Sequence, residues 1–242
     1  MSQPFSAWQR GLRQPNLLVG MLLSSCLLLC ALLSLIWTPW DPYAMNMDAK
    51  LLLPDSQHWL GTDAFGRDVL SQLMVGARSS IAVGVIAVGI GLVFGVALGL
   101  LASALRGWVE AVIMRLSDFT FAFPAILLAI MMTAVFGPSM VNAIIAIGIF
   151  NIPTFARITR ASANAIWTRE YITAARACGK NRFSITFQHV LPNIMGVLIV
   201  QATIQFALAI LAEAALSYLG LGTQPPQPSW GRMLSDAQTL MF

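Results

Sequence analysis

Apolar residues in this chain come in long unbroken runs. Each approaches the roughly 20 residues a helix needs to cross about 30 Å of hydrocarbon. The first predicted span is residues 16–36, NLLVGMLLSSCLLLCALLSLI. Four more follow at about 80–104, 120–136, 139–156 and 194–217. Pro124 and Pro153 interrupt the third and fourth; each removes a backbone donor and predicts a kink. Gly137 and Pro138 predict a tight turn between those two spans. The basic flank of the first run resembles a signal peptide, but the run is longer than a signal's apolar stretch and no A-x-A site follows. It is therefore an uncleaved helix, with Trp37 and Trp40 placed for an interfacial belt.

Composition agrees: of 242 residues, 57% are hydrophobic and 10% charged, against about 25% charged in soluble chains. Three cysteines, Cys26, Cys30 and Cys178, do not make a disulfide scaffold. The charges set the orientation. With the N-terminus inside, residues 1–15, 105–119 and 157–193 are cytoplasmic. They hold ten basic residues (Arg10, Arg13, Arg106, Arg115, Arg157, Arg160, Arg169, Arg176, Lys180 and Arg182) against three acids. Lys50, Arg67, Arg78 and Arg232 fall on the other side. This is the positive-inside arrangement of a bacterial inner-membrane protein with a cytoplasmic N-terminus. The chain reads as an N-terminus and first helix (1–37), a periplasmic segment (38–79) and a core (80–242) with a cytoplasmic loop at 157–193 and a periplasmic tail at 218–242.

Polar and small residues mark the helix faces. Gly91, Gly95 and Gly99 recur every fourth residue, continued by Ser103. Such a stripe fits close helix packing or a moving, pore-lining helix. Asn142, Asn151, Gln201 and Gln205 face either the bundle interior or an aqueous path, with hydrogen bonding between helices as the structural alternative. Glu213 is the one acid inside a span, near its end; it fits a gate or helix-end packing.

Residues 160–193, RASANAIWTREYITAARACGKNRFSITFQHVLPN, are too long for a plain connection. Thr168 is placed to cap a helix start, Ala174, Ala175 and Ala177 keep one side small, and Gly179 ends the helix. A second amphipathic piece covers about 181–190, stopped by Pro192. The result is a helix–turn–helix flanked by Arg169, Arg176, Lys180 and Arg182, a shape for docking into another protein or, alternatively, onto anionic lipid. Nucleic acid is a poor partner, since no aromatic residues are interleaved. The sequence has no phosphate-binding loop G-x-x-x-x-G-K-[ST], no H-E-x-x-H and no G-x-S-x-G. It predicts no enzyme, no metal site and no cofactor in this chain; any ATP chemistry belongs to a partner.

The segment EYITAARACG, 170–179, followed by Leu191–Pro192, resembles the coupling loop of ABC-importer permeases, E-x-x-x-A-A, a glycine and a later L-P. Glu170, Ala174, Ala175, Gly179, Leu191 and Pro192 match it. HWLGTDAFGRDVLSQLMVGARSS (58–80) and EAALSYLGLGTQPPQPSWGRMLSDA (213–237) are similar to segments of the dipeptide, oligopeptide and nickel importer permeases. Together they resemble the second permease subunit, the one with a short first outer loop. The resemblance implies an all-α type I permease fold that pairs with a homologous permease in the lipid bilayer. Two cytoplasmic ATPases would receive the coupling helix, and a periplasmic binding protein would deliver solute. Peptides are the leading solute, with nickel or another small solute second. The family pattern also implies a sixth span, expected but absent before Phe242. Truncation of an ordinary permease is the favoured account, and a non-transporting assembly subunit the alternative.

Overall fold

The computed structural model describes residues 14–239; Arg10, Arg13 and residues 240–242 lie outside them. Nine α-helices cover most of the described residues. They are α1 (Pro15–Leu33), α2 (Val69–Leu105), α3 (Gly107–Ala122), α4 (Ala125–Phe136), α5 (Met140–Trp167), α6 (Glu170–Ala177), α7 (Arg182–Ile185), α8 (Leu191–Tyr218) and α9 (Trp230–Gln238). A π-turn at Thr186–Val190 joins α7 to α8.

Among the described residues, four stretches are long and apolar enough to cross a membrane: Pro15–Leu33, Val69–Leu105, Met140–Trp167 and Arg182–Tyr218. The third of the five predicted runs is broken. There α3 and α4 meet at a bend of 81°, and the count reaches five only if that pair is one broken span. Pro124 is the cause. It cannot donate a helical hydrogen bond and it drives the residue before it out of the helical region. Phe123 accordingly sits at φ −96°, ψ 129°. The 12 residues of α4 rise only about 18 Å, too little to span alone. Pro153, by contrast, lies inside an uninterrupted α5.

By its contacts the chain divides into two compact units, residues 14–79 with 226–230, and residues 80–225 with 231–239. In the first, α1 exposes apolar residues on nearly every side, including Leu22, Leu23 and Leu29; a helix apolar all round suits lipid. Residues 40–72 fold back on themselves. The Trp40 N–H donates to Ser71 Oγ (3.0 Å), the Asn46 N–H to the Phe65 carbonyl (3.1 Å) and the Leu51 N–H to the Asp63 carbonyl (3.1 Å). The Trp230 indole donates to the Leu73 carbonyl (3.2 Å) and packs on Gly76.

The second unit is built on α5. Where α2 crosses it, a Cβ on Gly91 would stand 2.4 Å from Asn151 Cβ, one on Gly95 2.5 Å from the Ile152 carbonyl oxygen, and one on Gly99 2.5 Å from the Ala156 carbonyl oxygen. Only hydrogen fits at the three positions, so the backbones approach as small-residue stripes allow. Buried hydroxyls inside these helices bond back to their own turns: Ser103 to the Leu100 carbonyl (2.9 Å), Ser117 to Ile113 (2.9 Å) and Thr133 to Ile130 (2.9 Å). Two ion pairs tie α3 to α5, Arg157–Asp118 (2.5 Å) and Arg160–Glu110.

Candidate coupling element and membrane-buried carboxylate

The 157–193 segment is held from below by apolar burial and from its ends by caps. α5 runs on to Trp167, which is buried with Ile172, Ile185, Leu100, Ala163 and Ile194 in one apolar cluster. Ile172 is 0% exposed and is the single buried side chain of α6. Glu170 in the first turn and Arg176 in the last suit the helix dipole. The Arg176 guanidinium lies 5.2 Å from the Trp167 ring centroid, a cation–π contact.

Gly179 sits at φ 81°, where a side chain is strained. Around it the Lys180 N–H donates to the Ala175 carbonyl (3.1 Å) and the Gly179 N–H to the Arg176 carbonyl (2.9 Å). These two bonds are the Schellman closure, which satisfies the last carbonyls of the helix. Beyond the turn, Asn181 Oδ1 accepts from the Ser184 N–H (2.7 Å) and so caps α7. Arg182 donates to the Ala104 carbonyl at the end of α2 (3.0 Å). Lys180 Nζ donates to Gln188 Oε1 (2.8 Å).

Two local expectations are corrected. Thr168 does not begin α6; it ends α5 at φ −91°, ψ −3°, and its hydroxyl donates to the Ala165 carbonyl (3.0 Å). Burial of Trp167 carries α5 this far, so the extended residue before α6 is Arg169. Pro192 does not stop the second piece. It lies in the first turn of α8, where a missing N–H costs little. The π-turn before it widens the backbone, with the Leu191 N–H donating to the Thr186 carbonyl.

The six residues matched to the coupling pattern thus have different surroundings. Ala175 and Leu191 pack against the apolar cluster; Gly179 makes the turn; Glu170, Ala174 and Pro192 are exposed. Beside α6 lies an open hollow lined by Ile166, Thr168, Arg169, Tyr171 and Asn193. Ile172, Trp167 and Asn181 were missed from sequence, although N-x-x-S at 181–184 is a readable cap.

At the other end of α8, Glu213 is 1% exposed. Ser217 Oγ donates to its Oε1 (2.7 Å), Ser80 Oγ to its Oε2 (3.1 Å) and Thr223 Oγ1 to its Oε1 (3.3 Å). The Thr223 N–H donates to Ser217 Oγ (3.0 Å), so the turn after α8 is tied to the same carboxylate. All three donors are neutral hydroxyls. Ser217, one turn on, is the partner legible in sequence; Ser80 and Thr223 come from folding.

The 38–79 segment has its own carboxylate centre. Asp63 accepts from the Phe65 N–H (2.8 Å), the Arg67 N–H (2.9 Å), Arg67 Nε (2.7 Å) and Gln72 Nε2 (2.9 Å). Burial favours its neutral form, but the Arg67 N–H, Gln72, Phe65 and Arg67 side-chain hydrogen bonds together outweigh it and hold the acid below the usual carboxylate range. Asp68 accepts from the Ser71 N–H (2.8 Å) and pairs with His58 Nδ1 (3.0 Å). Among the described residues, no group of three or more His, Cys, Asp or Glu side chains is placed to hold a metal ion.

Residues 65–242 match the family model described as "Binding-protein-dependent transport system inner membrane component". The dipeptide transport system permease protein DppC of Alkalihalophilus pseudofirmus is 42% identical over 237 residues, covering 96% of this chain and 78% of that protein. The glutathione transport system permease protein GsiD of Pectobacterium atrosepticum is 39% identical over 242 residues, covering 97% and 78%. The di/tripeptide transport system permease protein DppC of Pseudomonas aeruginosa is 42% identical, covering 96% and 78%. Among solved structures, the inward-facing MetNI methionine ABC transporter matches with a TM-score of 0.57 and 22% identity, over 63% of this chain and 76% of that one. At that identity it shows the fold, the type I ABC-importer permease. The chain therefore belongs to the binding-protein-dependent transport system inner membrane components, as a multi-pass inner-membrane permease subunit of an ABC importer and not an enzyme.

Proposed function

We propose that this chain forms one half of the translocation path for di- or oligopeptides, with its N-terminus in the cytoplasm and α6 as the helix that receives force from an ATPase. Family members work with a homologous permease, ATPase subunits and a periplasmic binding protein. The observation that carries the coupling role is the mounting of α6. An eight-residue helix is too short to be stable alone, yet this one is clamped by Ile172 below and capped at Gly179. Its other side is exposed at Glu170, Ala174 and Ala177, with Tyr171 also exposed and set edge-on to the His189 ring. A push on that face passes through Ile172 and Trp167 into α5, and through Ile185 and Ile194 into α8. The peptide assignment rests on the dipeptide, di/tripeptide and glutathione systems of the relatives. The N-in orientation rests on the basic 105–119 and 157–193 segments.

The test is uptake by the complete importer in proteoliposomes, with labelled di- and oligopeptides and nickel run in parallel. ATP-dependent uptake of a peptide, lost in Gly179→Arg together with ATPase co-purification, is the expected result. Uptake of nickel alone would sink the peptide assignment. A Gly179→Arg complex that stays assembled and coupled would sink the role of α6.

A further inference from the structure

A cavity of about 210 Å³ opens between α4, α5 and α8. Its walls are hollowed by small residues, Ala129, Ala146, Ala209 and Ala212, and two amides line it, Asn151 near the middle of α5 and Gln205 near the middle of α8. Both are more than nine-tenths buried, at 5% and 7% exposure. Among the described residues the Nδ2 of Asn151 has no hydrogen-bond partner. Gln205 lines the same cavity, whereas Asn142 spends its amide on the Gly137 carbonyl (2.7 Å). Polar side chains inside a span ordinarily bond a neighbouring helix, and a buried amide without a partner is destabilising. Two buried amides on one cavity, one of them with an unpaired Nδ2, form a polar spot in an otherwise apolar wall. The volume is several times the roughly 30 Å³ share of one water.

The chemistry of the pair is specific. Asn151 offers N–H donors, and Gln205 offers both a carbonyl acceptor and N–H donors. Neither carries charge, so neither selects a free metal cation. A group presenting one carbonyl and one N–H complements them, and a peptide bond is such a group. Gly91 contributes by letting Asn151 Cβ approach α2 closely. We infer that Asn151 and Gln205 form a contact site for the backbone peptide group of the imported solute, midway along its path. This rests on the peptide reading above.

The test compares a dipeptide with its depsipeptide, in which an ester replaces the amide and the peptide N–H is gone. Import per ATP hydrolysed is measured in the reconstituted importer, and the binding protein's Kd for each solute is measured separately and divided out. The unmodified importer is expected to favour the amide by about five- to tenfold, the value of one hydrogen bond. Gln205→Met, which keeps the side chain's length but removes its acceptor, is expected to bring that ratio to about one. Asn151→Leu is expected to lower import of both solutes by a similar factor while leaving the ratio in place. A ratio unchanged in Gln205→Met overturns the site, whatever the variant's thermal stability. So does loss of co-purification with the partner permease at an unchanged ratio, which would make the amides interchain contacts. If the unmodified importer takes up neither solute, the peptide reading itself has failed and this inference falls with it.

Discussion

Truncating Ile172 to alanine isolates the mounting of α6 from its exposed face. The substitution removes three carbons from a side chain that is 0% exposed and packed among Trp167, Ile185 and Leu100. At about 0.8 kcal/mol per methylene the transfer loss is about 2.4 kcal/mol, and the cavity left behind raises the cost to about 3 kcal/mol. The loss falls on an eight-residue helix with no other buried side chain. The population with α6 detached should therefore rise by about 150-fold. Amide hydrogen exchange reads this directly at the Cys178 and Lys180 N–H groups, which bond the Ala174 and Ala175 carbonyls. Exchange there should accelerate by about two orders of magnitude, and uptake per ATP should fall. Ala174→Arg, on the exposed face, should disturb the ATPase contact while leaving exchange within about threefold of the unmodified protein. Protection unchanged in Ile172→Ala would refute the anchoring argument, because the helix would then be held by something other than this side chain.

Gly95→Ala places a Cβ 2.5 Å from the Ile152 carbonyl oxygen, whereas Gly89 on the same helix has open space. Thermal unfolding in detergent should show Gly95→Ala destabilised by about 1–3 kcal/mol and Gly89→Ala unchanged or slightly stabilised. Glu213→Leu strands the Ser80 and Thr223 hydroxyls and should cost about 1–3 kcal/mol in the same assay, with Glu213→Gln milder because it keeps an acceptor. Asp63 has its acid strength raised by folding. Its stabilisation is therefore fully present above the ordinary carboxylate pKa and is lost as pH falls through the lower folded value. Exchange at the Phe65 and Arg67 amides, measured down to about pH 3, should show an acid-induced opening that Asp63→Asn removes, leaving the segment weaker at neutral pH.

The apolar runs located every long helix, because span length is dictated by the bilayer. They misjudged helix ends, because helices continue past the hydrocarbon wherever packing supports them. α5 carries Arg157 and Arg160 beyond its apolar run by pairing them with Asp118 and Glu110. The charges of α3, at Glu110, Arg115 and Asp118, keep it from standing out as an apolar run. Yet Trp108, Val112, Leu116 and Phe119 fall at helical spacing and remain exposed, so a signal was there. Gly179 was legible because a left-handed turn needs glycine, and Glu213 because an acid in a span stands out. The hydroxyls around Glu213 were only partly legible: Ser80 is 133 residues away in sequence, and no local pattern announces such a partner. The same holds for Ile172, one isoleucine among many until packing singles it out.

The claim that α6 couples this permease to an ATPase is tested most directly by cross-linking. With Cys26→Ser, Cys30→Ser and Cys178→Ser to remove the native thiols, a cysteine at Ala177 on the exposed end of α6 is treated with a short bifunctional thiol reagent in the assembled importer. The account predicts a single adduct with a co-purifying ATPase subunit, whose yield changes when ATP is added. Adducts with the periplasmic binding protein, or none with the ATPase while uptake remains ATP-driven, would contradict it.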